Sequence, residues 1–444
     1  MISFVTLLLG IAFGVRSIEV QAAPAVASVE FRLDGRTLTV LPAPPWRVPV
    51  DFGAPAPHEL VAVARNGEGA EIGRAVQRIN IPRSMAEATL TLLPGTGGRG
   101  RVARLAWASA LSVKPERVEL TMDGRPLESV DLERIALPNF RPANVHVLRA
   151  VLDFKQGTQA TAELLVGGVK RESSNGPETM RGETKAELTA VPVVFKGRPP
   201  KDSEMEGWFL ADGQPVRVEA VEESPGEIVV VKDERAGPWI TQLDVDVADS
   251  LRAPGASTGG DFRGSFRGSL ALLRKGQRLR FCWPGTLPPK DAAPGYDVFL
   301  RSPDYAAPLN ILRLLANVEA PEFQGPSRLA DAVAVAALSA AAGNCPRAVL
   351  VLVAGPDDES GMTVDSVRGY LRALRVPLFV WAKNKKIASS WGKAEVPRNV
   401  GELEGAATRL TAAVERQRIV WLEGSHLPQS ISISPKARGA TLVE

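Results

Sequence analysis

Acid–base chemistry in this chain would have to run through few side chains, because its 444 residues include only three histidines, His58, His146 and His426, and two cysteines, Cys282 and Cys345. His426 lies in a Gly-Ser-His-Leu-Pro turn near the end of the sequence. Brought against Asp357, it would make the imidazole and carboxylate pair from which a hydrolase could be built at a domain junction. The triplet Asp357-Asp358-Glu359 also offers oxygens to a hard cation, Mg²⁺ or Ca²⁺, with Asp357 and Asp358 as ligands. Three acids in one loop read first as a solvated turn. No Gly-x-Ser-x-Gly stands where a strand meets a helix, and the stretch from Gly259 to Ser265 lacks the Gly-Lys-Ser/Thr of a phosphate loop. The expected catalytic and cofactor-binding residues are therefore none. Cys282 and Cys345 stand far apart with no second pair and no histidines nearby, so neither a zinc site nor a disulfide framework is indicated. A single bridge in an oxidising compartment and two buried thiols both stay open.

The elements that would position these residues begin with an internal repeat. Val29-Glu30-Phe31-Arg32-Leu33-Asp34-Gly35-Arg36 returns as Val118-Glu119-Leu120-Thr121-Met122-Asp123-Gly124-Arg125, and the strand beginning at His58 returns at His146. A spacing this constant means two copies of one module. Each copy alternates apolar and polar residues around an Asp-Gly turn, the pattern of hairpins with one buried face. Two Ig-like β-sandwiches are expected, over 24–95 and 96–170, and the repeated histidines are expected to be structural. The polar stretch 171–185 reads as a linker, and 186–226 as a strand-rich lead-in.

From Ile228 the grammar changes. Short continuous apolar runs, at Ile228 to Val231, Ala348 to Val353 and Val376 to Trp381, are the mark of strands buried on both faces. Helical spacing lies around them, over Ser327 to Ala342, Thr363 to Leu374 and Glu402 to Arg416. Strand alternating with helix implies a doubly wound, mostly parallel sheet over 227–423, followed by a tail over 424–444.

On these segments the chain resembles the von Willebrand factor A (vWA) domain proteins of the Acidobacteria type, in which Ig-like repeats precede a vWA fold. The resemblance is carried by Gly325-Pro326-Ser327-Arg328-Leu329-Ala330-Asp331-Ala332, by Val349 to Ser360 and by Tyr370 to Trp381, with Asp212 to Val218 as the approach. It implies a multidomain fold: two all-β Ig-like sandwiches, then an α/β doubly wound (Rossmann-like) vWA domain. It also implies a divalent cation at the carboxyl ends of the strands, held by Asp-x-Ser-x-Ser, a Thr and a late Asp. Here the first motif aligns with Asp233-Glu234-Arg235-Ala236-Gly237, Ser327 replaces the Thr, and Ala354 stands in place of the late Asp. Arg235 would put a fixed positive charge beside the cation position. The resemblance thus implies a vWA shell with a degenerate site and no metal.

A formal charge of +3 from 53 basic and 50 acidic residues scattered along the chain leaves no footprint for nucleic acid. Phe4 to Val15 is an apolar run ahead of the small-residue site Val20-Gln21-Ala22, the order of a signal peptide over 1–23. No later run approaches the roughly 20 apolar residues that a membrane helix needs. The expectation is an exported, extracytoplasmic protein that binds a protein partner in adhesion or assembly, with no nucleic acid and no membrane contact beyond the leader. A hydrolase and a purely structural scaffold are the alternatives.

Overall fold

The computed structural model describes residues 2–6, 8, 11–22, 24–82, 86–93, 102–109, 115–127, 131–137, 145–153, 159–167, 188–250, 271–286, 299–323, 325–355 and 358–444. The expected linker over 171–185 and the glycine-rich stretch 259–265 lie outside them.

Asp-Gly turns set the frame of the first two modules. Asp34 and Gly35 have φ of 50° and 77°, and Asp123 and Gly124 have 52° and 76°. Positive φ at both central positions gives a turn whose twist matches the strands it joins. In the first module, Arg36–Leu41, Ser28–Leu33, His58–Arg65 and Glu71–Ile79 form one sheet, and Ile2–Phe4, Val15–Ala22 and Arg47–Asp51 form the other. The second module repeats this order with Arg125–Pro126, Arg117–Met122, Val145–Asp153 and Gln159–Gly167 against Ala86–Leu93, Val102–Ser109 and Ile135–Ala136. Its first strand thus lies before the expected boundary at residue 96.

The residues expected to form a leader supply two strands of the first module. Ile18 and Val20 are buried among Val29, Phe31, Trp46 and Leu60. An apolar run of this length suits a leader and a sandwich core equally, and here alternation in Val15–Ala22 puts Ile18 and Val20 on the inner face.

A third sandwich is built from two distant pieces of the chain. Val218–Glu222, Gln417–Glu423, Leu188–Phe195 and Ala440–Leu442 make one sheet, and Gln214–Val216, Phe209–Ala211 and Ile431–Ile433 the other. Val191, Val193, Phe209, Val420, Leu422 and Ile431 meet between them. The expected lead-in and tail are thus halves of one module. Gln417–Glu423, expected in the parallel sheet, pairs antiparallel with Leu188–Phe195 and Val218–Glu222 instead. The reason lies in its alternation: Val420 and Leu422 face the third core, while Ile419 and Trp421 pack against Val147 of the second module.

The α/β unit is inserted into this third module, leaving it after Glu222 and returning at Gln417. Glu227–Lys232 lies at its centre, parallel to both Arg278–Thr286 and Arg347–Val353, and Leu378–Ala382 extends the sheet from the latter. Phe299–Arg301 adds an antiparallel edge strand. Helices Leu329–Ala342 and Val364–Ala373 cover one face, and Ala236–Ser250, Ile311–Asn317 and Val400–Glu415 the other. Val229 and Val231 point into the first layer, Ile228 and Val230 into the second, which is why the strand reads as an unbroken apolar run. No helix among the described residues is long and apolar enough to cross a membrane.

Candidate functional site

In open α/β sheets, ligands bind beyond the carboxyl ends of the strands, where the strand order reverses. Here that point lies between Glu227–Lys232 and Arg347–Val353, and it brings together Asp233, Arg235 and Ala354. Asp233 is buried, and both of its carboxylate oxygens are already hydrogen-bonded. One oxygen accepts from the Arg235 amide at 3.0 Å, the other from the Ala354 and Gly355 amides at 3.2 and 2.8 Å. The Arg235 guanidinium lies 3.7 Å from the same carboxylate. It also covers Gly355 so closely that a Cβ there would sit 2.2 Å from its Cζ. Lys232 adds a second cation beneath the helix start, its ammonium donating to the Val318 carbonyl at 2.7 Å and lying 3.0 Å from where a Gly237 Cβ would be. Burial pulls Lys232 down to about 8.

The other candidate ligands serve the helix Leu329–Ala342. Asp358 caps its first turn, accepting from the Leu329 and Ala330 amides at 2.8 and 3.2 Å. Asp331 reaches back to the Gly361 and Met362 amides and pairs with Arg328. Ser327 accepts the Glu359 amide through its backbone carbonyl. Asp357 lies outside the described residues. Among the described residues, no three His, Cys, Asp or Glu side chains gather as a metal centre.

The histidines stay apart from one another and from this rim. His58 Nδ1 meets Asp34 at 2.7 Å, and the same Asp accepts the Glu59 amide. His146 and Asp123 repeat the arrangement at the same distance. Each locks an Asp-Gly hairpin to the neighbouring strand. His426 belongs to the turn before Ile431–Ile433, with its ring against the Glu423 carbonyl at 2.9 Å. Cys282 and Cys345 are both buried free thiols.

Two features escaped sequence reasoning. The first is a third Asp-Gly turn, at Asp212-Gly213, with φ of 49° and 80°. Asp212 donates its amide to the Ser430 carbonyl just as Asp34 does to Glu59 and Asp123 to Val147. Asp34, Asp123 and Asp212 follow at equal intervals along the sequence, a signal that could have revealed the third module. The second is a buried polar junction where the second module, the third module and the α/β unit meet. Arg149 of the second module bonds Glu163 at 2.8 Å, lies 3.1 Å from Glu222 of the third, stacks 5.8 Å from the Trp421 ring, and donates to the Asn344 carbonyl of the α/β unit. Nothing in the spacing of these residues marks them, because they converge only after the modules dock.

Burial pushes Glu163 up to about 7, with Arg149 pulling it down and Glu222 adding to the rise. The folded chain then binds a proton that the unfolded chain has lost above its ordinary value of 4.5. This contribution to stability is present in full below that value and is lost as pH rises through the folded value. Glu163→Gln is expected to flatten the pH dependence of the urea midpoint between these two values, and an unchanged slope would exclude Glu163 as its source.

No family model matches the chain, and no curated protein does. Among solved structures it is similar to the Clostridium thermocellum CbhA fibronectin(III)-like modules, at 18% identity over 18% of this chain and 93% of that one, with a TM-score of 0.17. It is also similar to a Parabacteroides merdae β-glucuronidase, at 16% identity and a TM-score of 0.18, over 38% of this chain but only 25% of the enzyme. The central fibronectin-III array of RIM-binding protein shares 12% identity over 48% of this chain and 81% of that one, with a TM-score of 0.17. The β modules are sandwiches of the immunoglobulin or fibronectin III-like kind, consistent with their own strand order.

Proposed function

We propose that this is a non-catalytic binding or assembly protein in which the β modules hold up a vWA-like α/β unit as the recognition element. The reading rests on the strand and helix order of that unit and on one observation above all. Where a vWA domain would hold its cation, three backbone amides and the Arg235 guanidinium already satisfy Asp233. The residues present do not fit a metal: Ala354 supplies no oxygen ligand from its side chain, and a hydroxyl at position 237 would press on Lys232. Recognition then proceeds through protein surface alone.

Titration calorimetry with Mg²⁺ and Mn²⁺ is expected to give no heat of site binding. A stoichiometric micromolar site lost on Asp233→Asn would overturn the metal-free reading. The binding reading itself is tested by crosslinking in the source cells. A partner recovered in equal amounts with and without chelator is the expected result, and recovery of none counts against it. The scaffold alternative predicts that the α/β surface tolerates charge reversal without loss of partner. A hydrolase gains no support from His426, whose ring bonds its own turn.

A further inference from the structure

The loop leaving the far edge of the parallel sheet carries a feature that the closed rim does not explain. Between residues 383 and 398 stand Lys383, Lys385, Lys386, Lys393 and Arg398, against the single acid Glu395. Glu395 is already taken by Arg409. None of the five cations forms an ion pair among the described residues, and all five are exposed. Lys385 and Arg398 line a cleft of about 410 Å³ together with Ala388, Ser389, Gly392, Ala394 and Val396.

Two of these lining residues, Ala394 and Val396, also flank a strand edge. Glu395 bridges in parallel to Trp381 at the edge of the sheet, donating to the Val380 carbonyl at 2.8 Å and accepting from the Ala382 amide at 2.9 Å. In an extended chain, successive residues turn their amide and carbonyl groups to opposite sides. Those of Ala394 and Val396 therefore face away from the sheet, and they make no hydrogen bond among the described residues. An exposed edge of this kind is a template for one more strand.

We propose that this cleft binds an acidic peptide in extended form, added as a strand along Ala394 to Val396 with its carboxylates against Lys385 and Arg398. The proposal rests on the binding reading above and names its partner chemistry. Main-chain bonds to the edge give affinity, small apolar side chains of the peptide lie over Ala394 and Val396, and the cations choose the sign. Pro397 ends the edge, so the register is short. A nucleic acid is disfavoured because Trp391, the aromatic of this loop, is buried and offers no stacking face. A lipid surface is disfavoured because Ala394 and Val396 are partly buried against the α/β core rather than protruding as an anchor.

The test uses the full chain and a fluorescein-labelled octapeptide of alternating Glu and Val, followed by anisotropy at low and at physiological ionic strength. Saturable binding that weakens with salt is expected. The variant carrying Lys385→Glu and Arg398→Glu should bind about tenfold more weakly or worse. N-methylation of alternate peptide amides, which leaves the protein untouched, should cost about as much. Absence of binding, equal binding of the N-methylated peptide, or tighter binding of oligouridylate or phosphatidylglycerol vesicles would each overturn the proposal. If the double variant still captures the partner found by crosslinking while the peptide fails to bind, the cleft is excluded and the binding reading stands.

Discussion

Arg149→Met is expected to lower the unfolding free energy by about 3–5 kcal/mol, because it strands two buried carboxylates at the junction of three folded units. Glu222 is 1% exposed at its side chain and Glu163 14%. One oxygen of Glu222 is held by the Trp421 indole at 3.1 Å, and the other has no hydrogen-bond partner among the described residues. Without the guanidinium, water cannot reach Glu222 and reaches Glu163 only in part, so the second module must separate from Trp421 and Asn344 or the acids must take up protons. Urea denaturation followed by circular dichroism measures the loss, and tryptophan emission reports the release of Trp421. Methionine keeps much of the volume, so the effect is electrostatic rather than a cavity. Combining Arg149→Met with Glu163→Gln and Glu222→Gln should recover a large part of the loss, since neutral amides cost less to bury. Breaking the exposed pair Arg74–Glu71 should leave the transition where it was. A single variant that unfolds with the unaltered chain would remove the junction from any account of how the modules hold together.

The contrast between the two kinds of feature explains what the sequence discloses. Local rules reach local structure. The run Ile228 to Val231 marks the central strand because both faces are covered, and Thr363 announces its helix by accepting the Ser366 amide as an N-cap. The Asp-Gly turns disclose the first two modules because their φ values demand those residues. Long-range arrangement is different. Gln417–Glu423 carries the same apolar alternation whether it closes a parallel sheet or a separate sandwich, and only the partners Leu188–Phe195 and Val218–Glu222 decide. The insertion that splits the third module therefore stayed hidden, although its third Asp-Gly turn was in plain view. At the candidate site, the positions Asp233, Arg235 and Ala354 were legible from their motif alignment and do converge. Gly355 was not, since its role is to leave room for the Arg235 guanidinium. Asp358 had the right chemistry for a cation, but its oxygens are spent on the amides of a helix start.

A chain starting at residue 23 is expected to lose the first module as a folded unit while keeping the α/β unit. Removing Ile2–Phe4 and Val15–Ala22 leaves Arg47–Asp51 with no neighbour in its sheet and uncovers Val29, Phe31 and Leu60. No sandwich survives with one face of its core in water. The loss extends beyond the module. The Asn80 side chain bonds both the amide and the carbonyl of Ala12 at 2.6 and 2.7 Å, and the Asn80 carbonyl accepts the Tyr370 hydroxyl of the α/β unit at 2.8 Å. Ile11 and Phe13 pack directly against the α/β core. Limited proteolysis should therefore cut the shortened chain within residues 24–79 while the described strands and helices of the α/β unit resist. In the full chain, Ile18→Ala should cost about 2–5 kcal/mol, the range for a fully buried aliphatic side chain. The intact mass of the protein isolated from its source cells then becomes decisive. A mature form beginning after Ala22 with an unaltered melting curve would mean that these residues are not strands of the folded protein, and the first sandwich would have to close in another way.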